Sequence, residues 1–184
     1  MPILAFSCIL TAIASYPAFS WTSNALSDLG IIPGITGPIF NFGLFASGFL
    51  AFNFALFGLF TYLDKNWVGK AGALTFAAAT IALMAIGIFN EAFVPTHYIA
   101  SVAFFTILPI ALWIITATLA LKHETKMAIF TLIASLVAAA PWILYFTVHY
   151  VPNVAIPETI SGLTGSIWVV VVSYKMFKAT QNNS

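Results

Sequence analysis

No arginine occurs in the 184 residues, and the net charge is only +1, so the chain lacks the clustered basic side chains that neutralise phosphate backbones. That argues against a nucleic-acid partner. Cysteine is nearly absent as well: Cys8 stands alone, which excludes an intrachain disulfide and a thiolate metal cage. Charge of either sign is scarce, at 6% of residues where soluble domains carry roughly a quarter. What fills the space is apolar, 61% of the chain with 18 Phe. Such a chain belongs in a bilayer.

Six hydrophobic runs are legible, approximately Pro2 to Phe19, Ile39 to Leu63, Ala71 to Phe89, Tyr98 to Leu121, Ala128 to His149 and Pro157 to Phe177. A span needs about 20 apolar residues, so six spans consume about 120 residues and leave only short connections. The predicted fold is all-α, a single six-helix transmembrane domain over residues 1–184, with a polar loop at 20–38 and a disordered tail from about 179. The first run has no basic flank and reads as a retained span rather than a signal peptide. Pro17, Pro109 and Pro141 are expected to loosen their helices. Gly43, Ser47, Gly48 and Ala51 offer a small-residue face for close helix contact, and mid-span Asn53 is expected to face the bundle.

The connections come in two kinds. One set, Asp64 to Lys70, Lys122 to Lys126 and the tail from Lys175 onward, holds all six lysines. The other set holds none. The positive-inside rule then places the lysine-bearing loops and both termini in the cytoplasm, in a multi-pass protein of the cell membrane.

The opposite set gathers Asp28, Glu91, His97, His149 and Glu158 at one depth, the outer end of the bundle. Three carboxylates and two imidazoles could serve as general acid and base beside a lipid headgroup, and Asp28, Glu91, His97 and His149 as ligands of a divalent metal such as zinc. The spacing itself carries little, since no H-x-x-x-H or H-E-x-x-H pattern occurs. Asn24, Ser27 and Asn41 fall in the same layer as candidate ligand-binding groups. Ordinary roles compete at each position. Glu158 after Pro157 suits the start of a helix, Thr96 can cap the fourth span beside His97, His149 suits a helix end, and Glu91 fits a hydrated loop. Asp28 differs. The stretch Trp21 to Gly30, W-T-S-N-A-L-S-D-L-G, reads as a short helix capped by Thr22 or Ser23 and ended by Gly30 at positive φ, which puts Asp28 in the last turn against the helix dipole. It therefore needs a partner from elsewhere in the chain. Asn41 could satisfy Asp28 or the free amides at the start of its own span.

Asn24-x-x-Ser27-Asp28-Leu29-Gly30, then Asn41 with Gly43, then Pro95-x-His97, resemble the signature of the small prokaryotic membrane proteins grouped as domain of unknown function 998. The S-D-L-G loop is the most specific part, and the similarity covers most of the chain. A more distant resemblance is to the damage-regulated autophagy modulator group. The first resemblance implies six spans and a role for Ser27, Asp28 and His97, and it brings no reaction with it. The residue set of the alkaline ceramidase-like hydrolases is missing, which counts against their zinc chemistry.

Three functions follow as expectations. The first is a protein that binds a lipid headgroup, small molecule or metal at the outer face, including the case of a membrane-embedded hydrolase. The second is a non-catalytic subunit with protein partners or further copies of itself in the membrane. The third, a transporter or channel, fits least, because mid-span polar groups are few and uncharged.

Overall fold

The computed structural model describes residues 1–63 and 66–181, so Asp64, Lys65 and residues 182–184 of the expected basic loop and tail lie outside the described residues. Among the described residues six helices carry the chain: α1 (Pro2–Ala14), α2 (Thr36–Leu63), α3 (Trp67–Ile88), α4 (Thr96–Leu121), α5 (Thr125–Val148) and α6 (Ala155–Gln181). Five of them, α2 to α6, are long and apolar enough to cross a membrane. Their outward surfaces carry Phe42, Phe57, Ile81, Val102, Ile133, Ile143 and Val170, all exposed, as side chains facing lipid tails should be.

α1 departs from the expected first span. It has 13 residues and ends at Ala14, so it is about 20 Å long, short of the roughly 30 Å of a hydrocarbon core. Residues 15–19 form turns, and Pro17 therefore lies outside any helix. α1 runs antiparallel to α2: Ser15 Oγ meets Thr36 Oγ1 at 2.8 Å, and Ser47 Oγ donates to the Met1 carbonyl at 3.4 Å. It thus covers only the half of α2 that lies before Ser47. Contact is close because Gly43 has no side chain; a Cβ there would fall 2.3 Å from Cys8 Cβ.

Each helix packs on the next in sequence, while α1 and α6 meet along a thin seam. The small face of α2 does what its composition predicts: Gly43, Ser47, Gly48 and Ala51 are all buried, with Gly48 against Met84 and Thr80 of α3. Asn53 does not reach into the bundle. Its Nδ2 donates back to Phe49 carbonyl at 2.8 Å, just before a π-helical stretch, Phe54–Leu59, that widens α2. Pro109 and Pro141 are buried inside α4 and α5. The Pro109 carbonyl accepts from Ser135 Oγ at 3.3 Å across that pair.

Short connections make successive helices antiparallel, which sends the described lysines to one end and Asp28, Glu91, His97, His149 and Glu158 to the other. At the lysine end, Glu124 is bound by Lys175 and by Tyr62 Oη at 3.0 Å, and Lys122 Nζ donates to Tyr62 carbonyl at 2.7 Å. This clasp ties α2 and α6 to the α4–α5 turn. α6 continues to Gln181, so residues 179–181 are helical rather than part of a tail. The core has two parts. One surrounds the fully buried Trp168, whose Nε1 donates to Thr131 Oγ1 at 3.0 Å; the other, nearer the acidic end, joins Leu29, Phe40, Leu44 and Ile86.

Candidate functional site

The stretch Trp21 to Gly30 is not a capped α-helix. A single turn spans Ser20 to Asn24, and a 3-10 helix follows over Ser27–Ile31 with Leu26 before it and no side-chain cap. Asp28 lies in the first turn of that helix rather than the last, which reverses its relation to the dipole and makes the carboxylate favourable there. Its Oδ2 accepts from Ala25 N at 3.0 Å and from Asn24 Nδ2 at 2.7 Å. The partner sought elsewhere in the chain is local. Ile32 is extended, as the residue before Pro33 must be, and this ends the turn. Gly30 does not sit at positive φ, a conformation that belongs to Gly34 at +83°. Its requirement is space: an added Cβ would stand 2.6 Å from Asn41 Oδ1.

Around this turn the expected polar residues converge, each on a donor or acceptor of segment 24–30. Glu158 Oε2 accepts from Leu26 N at 2.6 Å, with the Ser27 amide beside it. Ser27 Oγ donates to Glu91 Oε1 at 2.6 Å. Asn41 Nδ2 donates to Gly30 carbonyl at 2.9 Å, not to Asp28, and its own buried Oδ1 has no hydrogen-bond partner among the described residues. Asn90, unassigned by sequence reasoning, donates to the same carbonyl at 3.3 Å. Asn153 clamps the preceding turn through the Ser23 carbonyl at 3.1 Å. Leu26 and Leu29 point the other way, into the core, so the segment closes the end of the bundle like a stopper.

His97 is buried, and α4 starts without a side-chain cap from Thr96. Its Nδ1 lies 2.7 Å from Phe89 carbonyl, which can only accept, so Nδ1 carries the proton. In the neutral ring Nε2 then accepts, with Ser101 Oγ at 3.4 Å and Glu91 Oε1 at 3.9 Å. Burial drives the Glu91 carboxyl above its ordinary 4.5 and the adjacent Asp28 carboxyl adds to it, against the Ser27 bond and His97.

The structure thus brings together Asn24, Ser27, Asp28, Asn41, Glu91, His97 and Glu158. It does not bring His149. That residue ends α5 at φ +49°, exposed, with its ring against Tyr145 at 6.1 Å, and it shares no hydrogen bond or ion pair with the cluster among the described residues. Common depth in the bundle fixes height but not direction, which is why it looked equivalent in sequence. The expected four-residue metal set is not assembled: among the described residues no three His, Cys, Asp or Glu side chains are grouped to hold a metal ion. The carboxylates turn to hydrogen-bond donors of the stopper instead.

Beneath the stopper lies a cavity of about 130 Å³, between the two core clusters. Leu26, Ser27 and Glu158 form its roof, and its walls come from α1, α2, α3, α4 and α6. On α6 the lining runs Glu158, Gly162, Gly165, Ser166, Val169, one helical face; on α1 it runs Met1, Pro2, Ala5, Phe6, Ile9. An added Cβ at Gly162 meets nothing closer than Phe6 Cζ at 4.0 Å, so the seam between these helices is loose. Sequence reasoning missed this lining, although the spacing of small residues after Glu158 signals it.

A bundle of long helices with apolar side chains facing outward, and ionisable groups confined to its ends and connections, defines a polytopic integral membrane protein. Within that class the chain belongs to the family described as protein of unknown function (DUF998), whose match covers residues 1–175. No curated protein and no solved structure matches it.

Proposed function

We propose that the protein binds a membrane lipid, one chain of which lies in the cavity beneath the stopper, with the polar layer of Ser27, Asp28, Glu91, His97 and Glu158 at its headgroup end. The observation that carries this reading is the union of a buried carboxylate with an apolar groove. Glu158 is 8% exposed and stands at the top of a lining otherwise made of Ile, Leu, Phe, Val, Ala and Gly with few hydroxyls. From Glu158 to Val169 the groove is about 16 Å tall, by 1.5 Å per helical residue, close to the roughly 15 Å of one leaflet's hydrocarbon. Its volume is of the order of an engineered cavity that holds one benzene, about 150 Å³, which is room for a stretch of about six carbons of a single chain, with the remainder lying outside in the seam.

A second reading, a polar layer that only locks the bundle, draws on a different observation: Asp28, Glu91 and Glu158 each accept a bond from segment 24–30. Photolabelling separates the two. A fatty alcohol carrying a diazirine in mid-chain, reacted with the purified full chain in phosphatidylcholine nanodiscs, should label Phe6, Gly162 and Ser166 above the general lipid-facing surface. Gly162→Leu, which fills the groove, should remove that excess while labelling at Ile129 and Val170 persists. Even labelling of all lipid-facing helices, with no effect of Gly162→Leu, would leave only the lock.

On this reading the acidic end is the outer face, the C-terminal end of α6 is cytoplasmic, and the host membrane is the cell membrane, supported by the position of the lysines at the end opposite the carboxylates. α1, which stops half-way along α2, leaves Met1 within the bundle rather than at the cytoplasmic end. A metal is not needed for lipid binding, and no hydrolytic step is assigned to Ser27.

A further inference from the structure

We infer that the lipid taken up in this groove carries an amine head and slides in sideways between α1 and α6. The inference rests on the lipid-binding reading above and adds the chemical class of the ligand and its route. The route follows from the seam. α1 and α6 meet only thinly, a methyl added at Gly162 would fit with Phe6 Cζ its nearest neighbour at 4.0 Å, and Phe6, Gly162 and Ser166 are only half-buried. The other lining neighbours meet more closely: α1 on α2 at Cys8 and Gly43, α2 on α3 at Gly48 and Met84, α3 on α4 at Gly72 and Ile115, and α4 on α6 at Leu108 and Gly165, where an added Cβ would stand 3.2 Å from Leu108 Cδ2. The stopper shuts the end, tied by Asn24, Asn41, Glu158 and Asn153. A chain can therefore reach the groove from the side and not from above.

The head class follows from charge and hydrogen-bond capacity. Glu158 stands in the roof with Asp28 and Glu91 behind it within electrostatic reach, and the described lysines are all at the far end. A phosphate monoester or carboxylate would meet like charge there. An ammonium brings three donors and a positive charge, which the Glu158 carboxylate and the Ser27 hydroxyl oxygen can accept. His97 is turned to the Phe89 carbonyl and to Glu91, and among the described residues it makes no hydrogen bond or ion pair with Glu158.

The test compares three diazirine probes of identical chain, ending in an amine, an alcohol or a carboxylate, in nanodiscs of phosphatidylcholine with the full chain. Groove labelling at Phe6, Gly162 and Ser166 should favour the amine over the alcohol on the order of tenfold, about 1.4 kcal/mol, with the carboxylate weakest. Glu158→Gln, which still offers an oxygen to Leu26 N, should bring the amine-to-alcohol ratio close to one. Equal groove labelling by all three probes would overturn the amine assignment and leave lipid binding intact. No groove labelling by any probe would overturn both. Should Glu158→Gln fail to fold, the wild-type ranking decides alone.

Discussion

Glu91 and Glu124 sit at opposite ends of the molecule and respond to their surroundings with opposite sign. Burial, with the Asp28 carboxyl beside it, raises Glu91, so the fold favours its protonated form. That contribution to stability is complete below the ordinary 4.5 and is lost as pH climbs through the raised value. Burial works against the charge of Glu124 too, yet the bonds from Lys175 and Tyr62 and the nearby Lys122 lower it overall. Its contribution is present above 4.5 and lost as pH falls through the lowered value. Thermal midpoints measured in detergent across pH should therefore decline less on the alkaline side for Glu91→Gln than for wild type, and less on the acid side for Glu124→Gln. Parallel curves for all three proteins would refute both assignments. At this scale scarcity of charge makes each ionisable side chain conspicuous, and Asp28, Glu91, His97 and Glu158 do meet around segment 24–30, while His149, equally conspicuous, stands apart. The sequence could not identify their partners. Glu158 and Asp28 are held by the amides of Leu26 and Ala25, and a backbone amide carries no residue signature.

The element that most altered the sequence picture is the turn after α1. Side-chain bonds to Ala25 and Leu26 occupy amides that an α-helix would use, and so a 3-10 turn stands where a capped helix was expected. The long helices were legible because their apolar runs match a bilayer, and their ends deviate by only a few residues. α1 was overestimated: apolar character continued to Phe19, but Pro17 and the bond from Ser15 to Thr36 turn the chain after Ala14. Its docking can be tested directly. Gly43→Ala places a methyl 2.3 Å from Cys8 Cβ and should cost about 1–3 kcal/mol of stability, as overpacking does. Cys8→Gly in the same chain should recover most of that loss, a coupling that thermal unfolding of the four proteins in the cycle measures. Additive losses would mean that the two helices do not meet at this point.

For the whole molecule, the two ends differ in kind: a lysine clasp around Glu124 at one, a carboxylate-rich stopper at the other. Single cysteines at Lys126 and at Phe93, in a Cys8→Ser background, should react with an impermeant maleimide from opposite sides of sealed vesicles, Lys126 from the cytoplasmic side. Reaction from the same side would contradict an antiparallel arrangement of α4 and overturn the proposed orientation. Near-uniform hydropathy along each span conceals which face meets lipid, and so the groove between α1 and α6 could be seen only once side chains were placed. The gap at Phe6 and Gly162 has a mechanical side as well. Empty volume makes a packed state compressible, so hydrostatic pressure should press the two helices together and favour the ligand-free, collapsed form, whereas an occupied groove would stiffen this flank of the bundle against the same load.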